Sequence, residues 1–158
     1  MADGRSTAKA AAETAPAAEA ETSYRLEDQV GHLLRRAHQR HTAIFQSLIG
    51  DQQITTTQFA ALVKLLDEGE LSQNHLGRLT AMDPATIQGV IRRLTERKLI
   101  RSRKDLGDRR RTLLSLTPAG TALVRRLIAN GPLVSEVTME PISPDERRLF
   151  LDLLRRLV

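Results

Sequence analysis

The chain has 158 residues, a formal net charge of +5, no cysteine, no tryptophan and only 3% aromatic residues. That length supports one domain with a proper core, or a small module with helical extensions, and the lack of cysteine removes disulfides, thiolate metal sites and thiol nucleophiles. So few aromatics leave the core to Leu, Ile, Val and Ala, which favours helices. Apolar runs this short and broken by charge make no bilayer span or secretory leader, so a cytoplasmic protein is expected.

Residues 1–23 contain nine alanines with Pro16 and Gly4 and little branched apolar surface, which predicts a disordered tail. From Leu26 to Ile49, residues Leu26, Val30, Leu33, Leu34, Ala37, Ile44, Phe45 and Leu48 recur at spacings of three and four. This is the pattern of a long amphipathic helix, stopped by Gly50. Thr55, Thr56 and Thr57 offer caps for a second helix over Gln58–Leu66, which ends before Gly69.

Ser72 is placed to cap a short helix over Gln73–Ala81, with Leu76 and Leu79 inward. Asp83 followed by Pro84 is a helix start, because proline at the first helical position gives up no needed hydrogen bond and the aspartate accepts from free amides. The helix it opens is predicted to reach about Lys98, burying Ile87, Val90, Ile91 and Leu94. Two helices joined by a tight turn, the second amphipathic and basic, make a helix-turn-helix pattern. Leu99–Arg103 and Thr112–Leu116 read as a two-stranded hairpin around Gly107. Thr117 and Pro118 then open a helix to about Asn130, which Gly131 and Pro132 should interrupt before it resumes toward Thr138. Ser143 and Pro144 start a last helix with Leu149, Phe150, Leu153, Leu154 and Leu157 on one stripe. The terminal helices carry more apolar surface than the small central module could cover, so pairing with a second copy is expected.

Charge is concentrated rather than spread. Arg92 to Arg111 holds ten basic residues against three acidic ones, a local charge of +7, so the rest of the chain is slightly acidic. A positive field confined to one segment is the footprint of a polyanion-binding face. No Ser/His/Asp order, phosphate loop or paired-carboxylate pattern suggests an enzyme.

The order helix, helix, helix-turn-helix, basic hairpin, two helices, with the tract D-x-x-D-R-R-x-x-x-x-x-L-T-P-A-G closing the hairpin at Asp105 to Gly120, resembles the MarR family of bacterial transcription regulators. The resemblance spans about Tyr24 to Val158. It implies a mainly α fold with a small β-hairpin wing: a winged helix-turn-helix over about 55–117, flanked by dimerisation helices over about 25–49 and 118–158. It also implies a homodimer on pseudo-palindromic operator DNA, usually a repressor released by a small molecule. Thr86 and Gln88 on the helix from Pro84 would reach base edges, and Arg92 and Arg93 phosphates. Gln73 and Asn74 would contact the DNA backbone. Arg110 matches the family's wing-tip arginine, whose place is the minor groove, with Arg109 and Arg111 on phosphates and Asp108 orienting a guanidinium.

His38, His41, Thr42 and Phe45 share a face of the first helix, with Arg40 beside them. The tract YRLEDQVGHLLRRAHQRHTAIFQ resembles a subgroup of the family tied to breakdown of aromatic or pyridine carboxylic acids, including nicotinate derivatives. In that reading Arg40 or a histidine pairs an anionic carboxylate and Phe45 covers a ring. No cofactor is expected. Two alternatives are a metal sensor using His38 and His41, one turn apart, and a DNA-binding regulator with no small-molecule effector.

Overall fold

A computed structural model describes residues 24–108 and 110–158, so the expected tail over 1–23 and Arg109 lie outside the described residues. A 3-10 turn over Leu26–Asp28 precedes α1 (Val30–Leu48), followed by α2 (Thr56–Glu68) and a short strand β1 (Leu71–Ser72). Next come α3 (Gln73–Leu79), α4 (Pro84–Glu96), β2 (Ile100–Lys104), β3 (Thr112–Leu116), α5 (Pro118–Ile128), α6 (Gly131–Thr138) and α7 (Pro144–Leu157). The architecture is mainly α with a small antiparallel sheet.

Three elements differ from the sequence reading: α3 ends at Leu79 rather than Ala81, because Ala81 takes a left-handed conformation, and Leu79 is exposed rather than inward. The predicted first helix does not begin at Leu26: Gln29 is extended, and its side-chain amide donates to the Arg25 carbonyl at 2.9 Å, setting the 3-10 turn apart from α1. The hairpin is also joined by a third strand, in the order β1-β3-β2 with Leu71 opposite Leu114 and Ile100 opposite Leu116. A two-residue strand carries no periodicity, so only its pairing reveals it.

The caps behave as their residue types dictate. Thr55 and Gln58 form a reciprocal capping box, with Thr55 Oγ1 accepting from the Gln58 amide and Gln58 Oε1 accepting from the Thr55 amide. Ser72 caps α3, Asp83 caps α4, Thr117 caps α5, and Ser143 forms a capping box with Glu146 on α7. The core collects Phe45 of α1 and Ile49 just after it, Leu62 and Leu65 from α2, Leu76 from α3, and Ile87, Val90 and Leu94 from α4. Leu114 of β3, Val124 and Leu127 of α5 and Val134 of α6 join it, with Ile54, Ala61, Leu71, Leu99 and Ile100.

The N-terminal half of α1 and all of α7 remain outside that core. Val30, Leu33 and Leu34 are exposed, and α7 buries none of its residues, leaving Leu149, Leu153 and Leu157 open to solvent. This is the apolar surplus anticipated from the sequence. No helix among the described residues is long and apolar enough to cross a membrane.

Two backbone positions define the junctions around α4. Ala81, in the turn between α3 and α4, has φ 51°; a non-glycine residue in the left-handed region costs about 1–2 kcal/mol. Gly120, in the first turn of α5, lies so close to β2 that an added Cβ would sit 2.0 Å from the Leu99 carbonyl oxygen. Gly120→Ala is therefore expected to destabilise the fold by at least about 3 kcal/mol. Ala81→Gly should stabilise it by about 0.5–1 kcal/mol, because relief of the turn exceeds the entropy added to the unfolded chain. Urea denaturation at one fixed protein concentration would measure both.

Candidate nucleic-acid interface and effector pocket

The helix-turn-helix presents α3 and α4 beside the hairpin. On α4 the buried stripe of Ile87, Val90 and Leu94 turns Thr86, Gln88, Arg92 and Arg93 outward, all four exposed. Arg92 makes only a loose pair with Glu96, 3.9 Å apart and largely exposed. Thr86 is engaged locally: its hydroxyl donates to Asp83 Oδ2 at 2.6 Å.

Gln73 and Asn74 open α3 at the base of the hairpin. They line one cleft with Ser72, Arg78, Arg110, Arg111 and Thr112. Thus α3 and the wing arginines, separate in sequence, meet around a single concave basic surface. Arg78, Ser72 and Thr112 were not singled out from the sequence. For Arg78 a signal existed, since it lies four residues after Asn74 and therefore on the same helical face.

The wing tip is held by its aspartates, in a different way from the one expected. Among the described residues Asp108 meets no guanidinium; its Oδ1 accepts the backbone N–H of Arg110 at 2.9 Å. Asp105 does the same for Gly107 at 2.9 Å, while its other oxygen stands 3.9 Å from Arg111 Nε. A short side chain two residues back closes a turn more readily than it reaches past the backbone to an arginine head. The basic run is also not one uniform patch. Arg97 donates to Asp51 at 3.0 Å and to the Gln53 carbonyl at 3.1 Å, and Arg103 pairs with Glu70 through Nε at 2.9 Å. The Arg103 hydrogen bond is the main reason the Glu70 carboxyl stays below its ordinary range.

The second region lies where α1 meets α2 and α6. His41 and Phe45 line a cavity of about 260 Å³ with Thr56, Phe59, Gly131, Val134 and Ser135. The rings of Phe45 and Phe59 are 5.5 Å apart and tilted, forming an aromatic wall. His41 Nδ1 lies 3.1 Å from Thr138 Oγ1 on α6. Burial lowers the His41 pKa below the usual imidazole value, and the neighbouring His38 lowers it further, so the ring is neutral near pH 7.

The other predicted effector residues are not brought into that cavity. His38 instead lines an adjoining apolar groove with Leu34, Phe150, Leu151 and Leu154; His41 and Ser135 belong to the walls of both. Arg40 donates to the Val137 carbonyl at 3.2 Å, near the C-terminal end of α6. Thr42 Oγ1 is buried without a hydrogen-bond partner. Phe59, Thr56 and Val134 were missed because they come from α2 and α6, and nothing in the α1 pattern announces which neighbours it will meet. Among the described residues no third His, Cys, Asp or Glu joins His38 and His41 in a group able to hold a metal ion.

Residues 54–112 match the MarR family. The chain is 44% identical over 137 residues to the HTH-type transcriptional repressor NicR of Pseudomonas putida, an alignment covering 87% of each protein. The structure superposes on BpsR of Bordetella bronchiseptica, whose DNA binding is regulated by 6-hydroxynicotinic acid, with a TM-score of 0.79 and 44% identity, over 85% of this chain and 96% of that one. It also superposes on PcaV of Streptomyces coelicolor in complex with its natural ligand, with a TM-score of 0.79 and 34% identity, over 85% and 94% of the respective chains.

The depressed His41 pKa sets a pH dependence. The unfolded chain takes up this proton near the ordinary value of 6.5, before the folded chain does, so the contribution is fully present above that value. It is lost as pH falls through 6.5, and the loss levels off once folded His41 is protonated as well. Stability of the wild type relative to His41→Gln, measured by urea denaturation from about pH 8 to about pH 5, is expected to decline across that window. A constant difference would show that His41 is not the titrating group.

Proposed function

The chain belongs to the MarR family, and we propose that it is a homodimeric repressor whose hold on operator DNA is released by a small aromatic or pyridine carboxylate. It is a transcriptional regulator, not an enzyme. The observation that carries the DNA reading is the convergence of Gln73 and Asn74 of α3 with Arg110 and Arg111 of the wing on one cleft, beside the exposed polar face of α4. A helix of this kind in the major groove offers Thr86 and Gln88 to base edges. Arg92, Arg93 and the arginines flanking the wing tip would neutralise phosphates, and Arg110 would enter the minor groove.

The same fold supports pairing of two copies. Exposed Leu149, Leu153 and Leu157 on α7, with Val30 and Leu33 on α1, form apolar surface that a lone protomer leaves in water. Pairing through these terminal helices fixes the spacing of two α4 helices, which is what a palindromic operator requires.

For the effector, the cavity under His41 and Phe45 suits one aromatic ring: the phenylalanines supply flat apolar walls and His41 a polar group. The likeness to BpsR favours a pyridine carboxylate such as 6-hydroxynicotinic acid. An anionic carboxylate beside His41 would draw its pKa back up and favour the charged ring. His41 lines this cavity, whereas Arg40 does not and donates instead to the Val137 carbonyl, so His41 is the partner in place for such an anion.

Arg110→Ala is expected to weaken binding to an operator duplex and to reduce the slope of log affinity against log salt by about 1, since a cation held in the minor groove releases counterions as one on a phosphate does. Wild-type affinity and slope would displace Arg110 from the interface. For the effector, 6-hydroxynicotinate and a panel of benzoates should be titrated against melting temperature, since a ligand bound only by the folded state raises it. His41→Ala and Phe59→Ala should abolish that rise and the release of DNA while leaving ligand-free DNA binding intact. A panel that moved neither melting temperature nor DNA affinity would favour a regulator with no such effector.

A further inference from the structure

The face that α4 turns outward carries one hydrogen bond whose direction chemistry fixes. Asp83 Oδ1 accepts the backbone N–H groups of Ala85 and Thr86, each at 2.9 Å, and Asp83 Oδ2 meets Thr86 Oγ1 at 2.6 Å. An ionised carboxylate has no proton to give, so the threonine hydroxyl is the donor. The Thr86 hydroxyl, followed by its backbone amide, holds the Asp83 carboxyl below the ordinary carboxylate range, which keeps it ionised at working pH. The only hydroxyl proton of Thr86 is therefore committed inward, while its side chain remains exposed on the same surface as Gln88.

We infer that Thr86 is a specificity-determining residue that reads DNA solely as a hydrogen-bond acceptor, favouring an exocyclic amino group (adenine N6 or cytosine N4) and rejecting guanine, with Asp83 as the residue that sets this polarity. The inference rests on the DNA-binding reading above. An unconstrained threonine rotates to donate or accept and so discriminates weakly among bases. With its proton taken, the oxygen presents lone pairs alone. Guanine shows only the acceptors N7 and O6 in the major groove, so lone pairs would face lone pairs there and a desolvated acceptor would go unpaired. Adenine and cytosine each offer an amino proton. Thymine offers a methyl group that the threonine methyl tolerates, and should rank between them and guanine.

The test is selection of binding sites from a random-sequence duplex pool with the full-length protein, followed by base-preference profiles for the wild type and two variants. The wild type is expected to disfavour guanine by about three- to tenfold at one position of each half-site, the range for one net hydrogen bond. Enrichment of adenine or of cytosine there tells which amino group is read. Thr86→Val keeps the β-branched shape but removes the lone pairs, and should flatten the preference at that position alone. Asp83→Asn should invert it. Two backbone N–H groups require the amide oxygen where Oδ1 now lies, so the amide NH2 must face Thr86 and donate to it, freeing the hydroxyl proton to point outward toward guanine. Asparagine caps a helix about as well as aspartate, and unchanged far-ultraviolet circular dichroism would verify that α4 persists.

An unchanged profile for Thr86→Val, or continued rejection of guanine by Asp83→Asn, would overturn the inference and leave the DNA-binding reading standing. Failure of the wild type to enrich any sequence would instead overturn the DNA-binding reading itself.

Discussion

The structure turns on the close approach of α5 to the start of β2. The Thr117 hydroxyl accepts the Gly120 amide at 3.0 Å, and the Thr117 backbone N–H donates to the Leu99 carbonyl at 3.0 Å. Gly120 lies against that same carbonyl with no room for a side chain. Leu99 follows directly on Lys98, which ends α4 in the left-handed region at φ 57°. The Thr117 hydroxyl also donates to the Lys98 carbonyl at 2.8 Å, so one small contact ties the residues after α4, the beginning of the wing and the point where the chain leaves for α5. The tract from Leu116 to Gly120 is the written form of this contact: a strand residue, a cap, a proline in the first helical turn, and a glycine where backbone meets backbone.

Charge is divided between building and binding. Arg97 ties the end of α4 to Asp51 and Gln53 in the loop after α1, and Arg103 ties β2 to Glu70 beside β1. These arginines orient the wing and α4 against the body of the domain. Arg110 and Arg111 are left at the cleft with α3, where the aspartates shape the backbone of the tip without neutralising Arg110. Rigid presentation matters because a charge already in place gives up little side-chain and loop entropy on meeting a phosphate.

The seam between α1 and α6 joins the parts of the domain with different tasks. His41 reaches across it to Thr138, and Arg40 to the Val137 carbonyl, so α1 grips the end of α6 at two successive residues. His41 also stands between the aromatic cavity and the groove bordered by α7. A molecule seated against Phe45 and Phe59 would therefore press on the wall that also bounds the proposed pairing surface. Differential affinity for two settings of this seam is the physical requirement for a ligand to alter the distance between paired α4 helices.

Much of this was legible in the chain because its signals are local. Spacing of three and four marked the helices, Thr55, Ser72, Asp83, Thr117 and Ser143 marked their starts, and Gly107 with its flanking aspartates marked the turn of the wing. The gathering of positive charge between Arg92 and Arg111 points to a polyanion without reference to the fold. What the sequence by itself determined was thus the order of the elements and the class of partner, since both follow from interactions within a few residues. Only the tertiary structure decided which arginines are spent on Asp51 and Glu70, that Arg78 joins the wing at one cleft, and that Phe59 and Val134 close a cavity over His41. Those pairings join residues far apart along the chain, and no local pattern records which distant side chain a given one will meet once the core has closed.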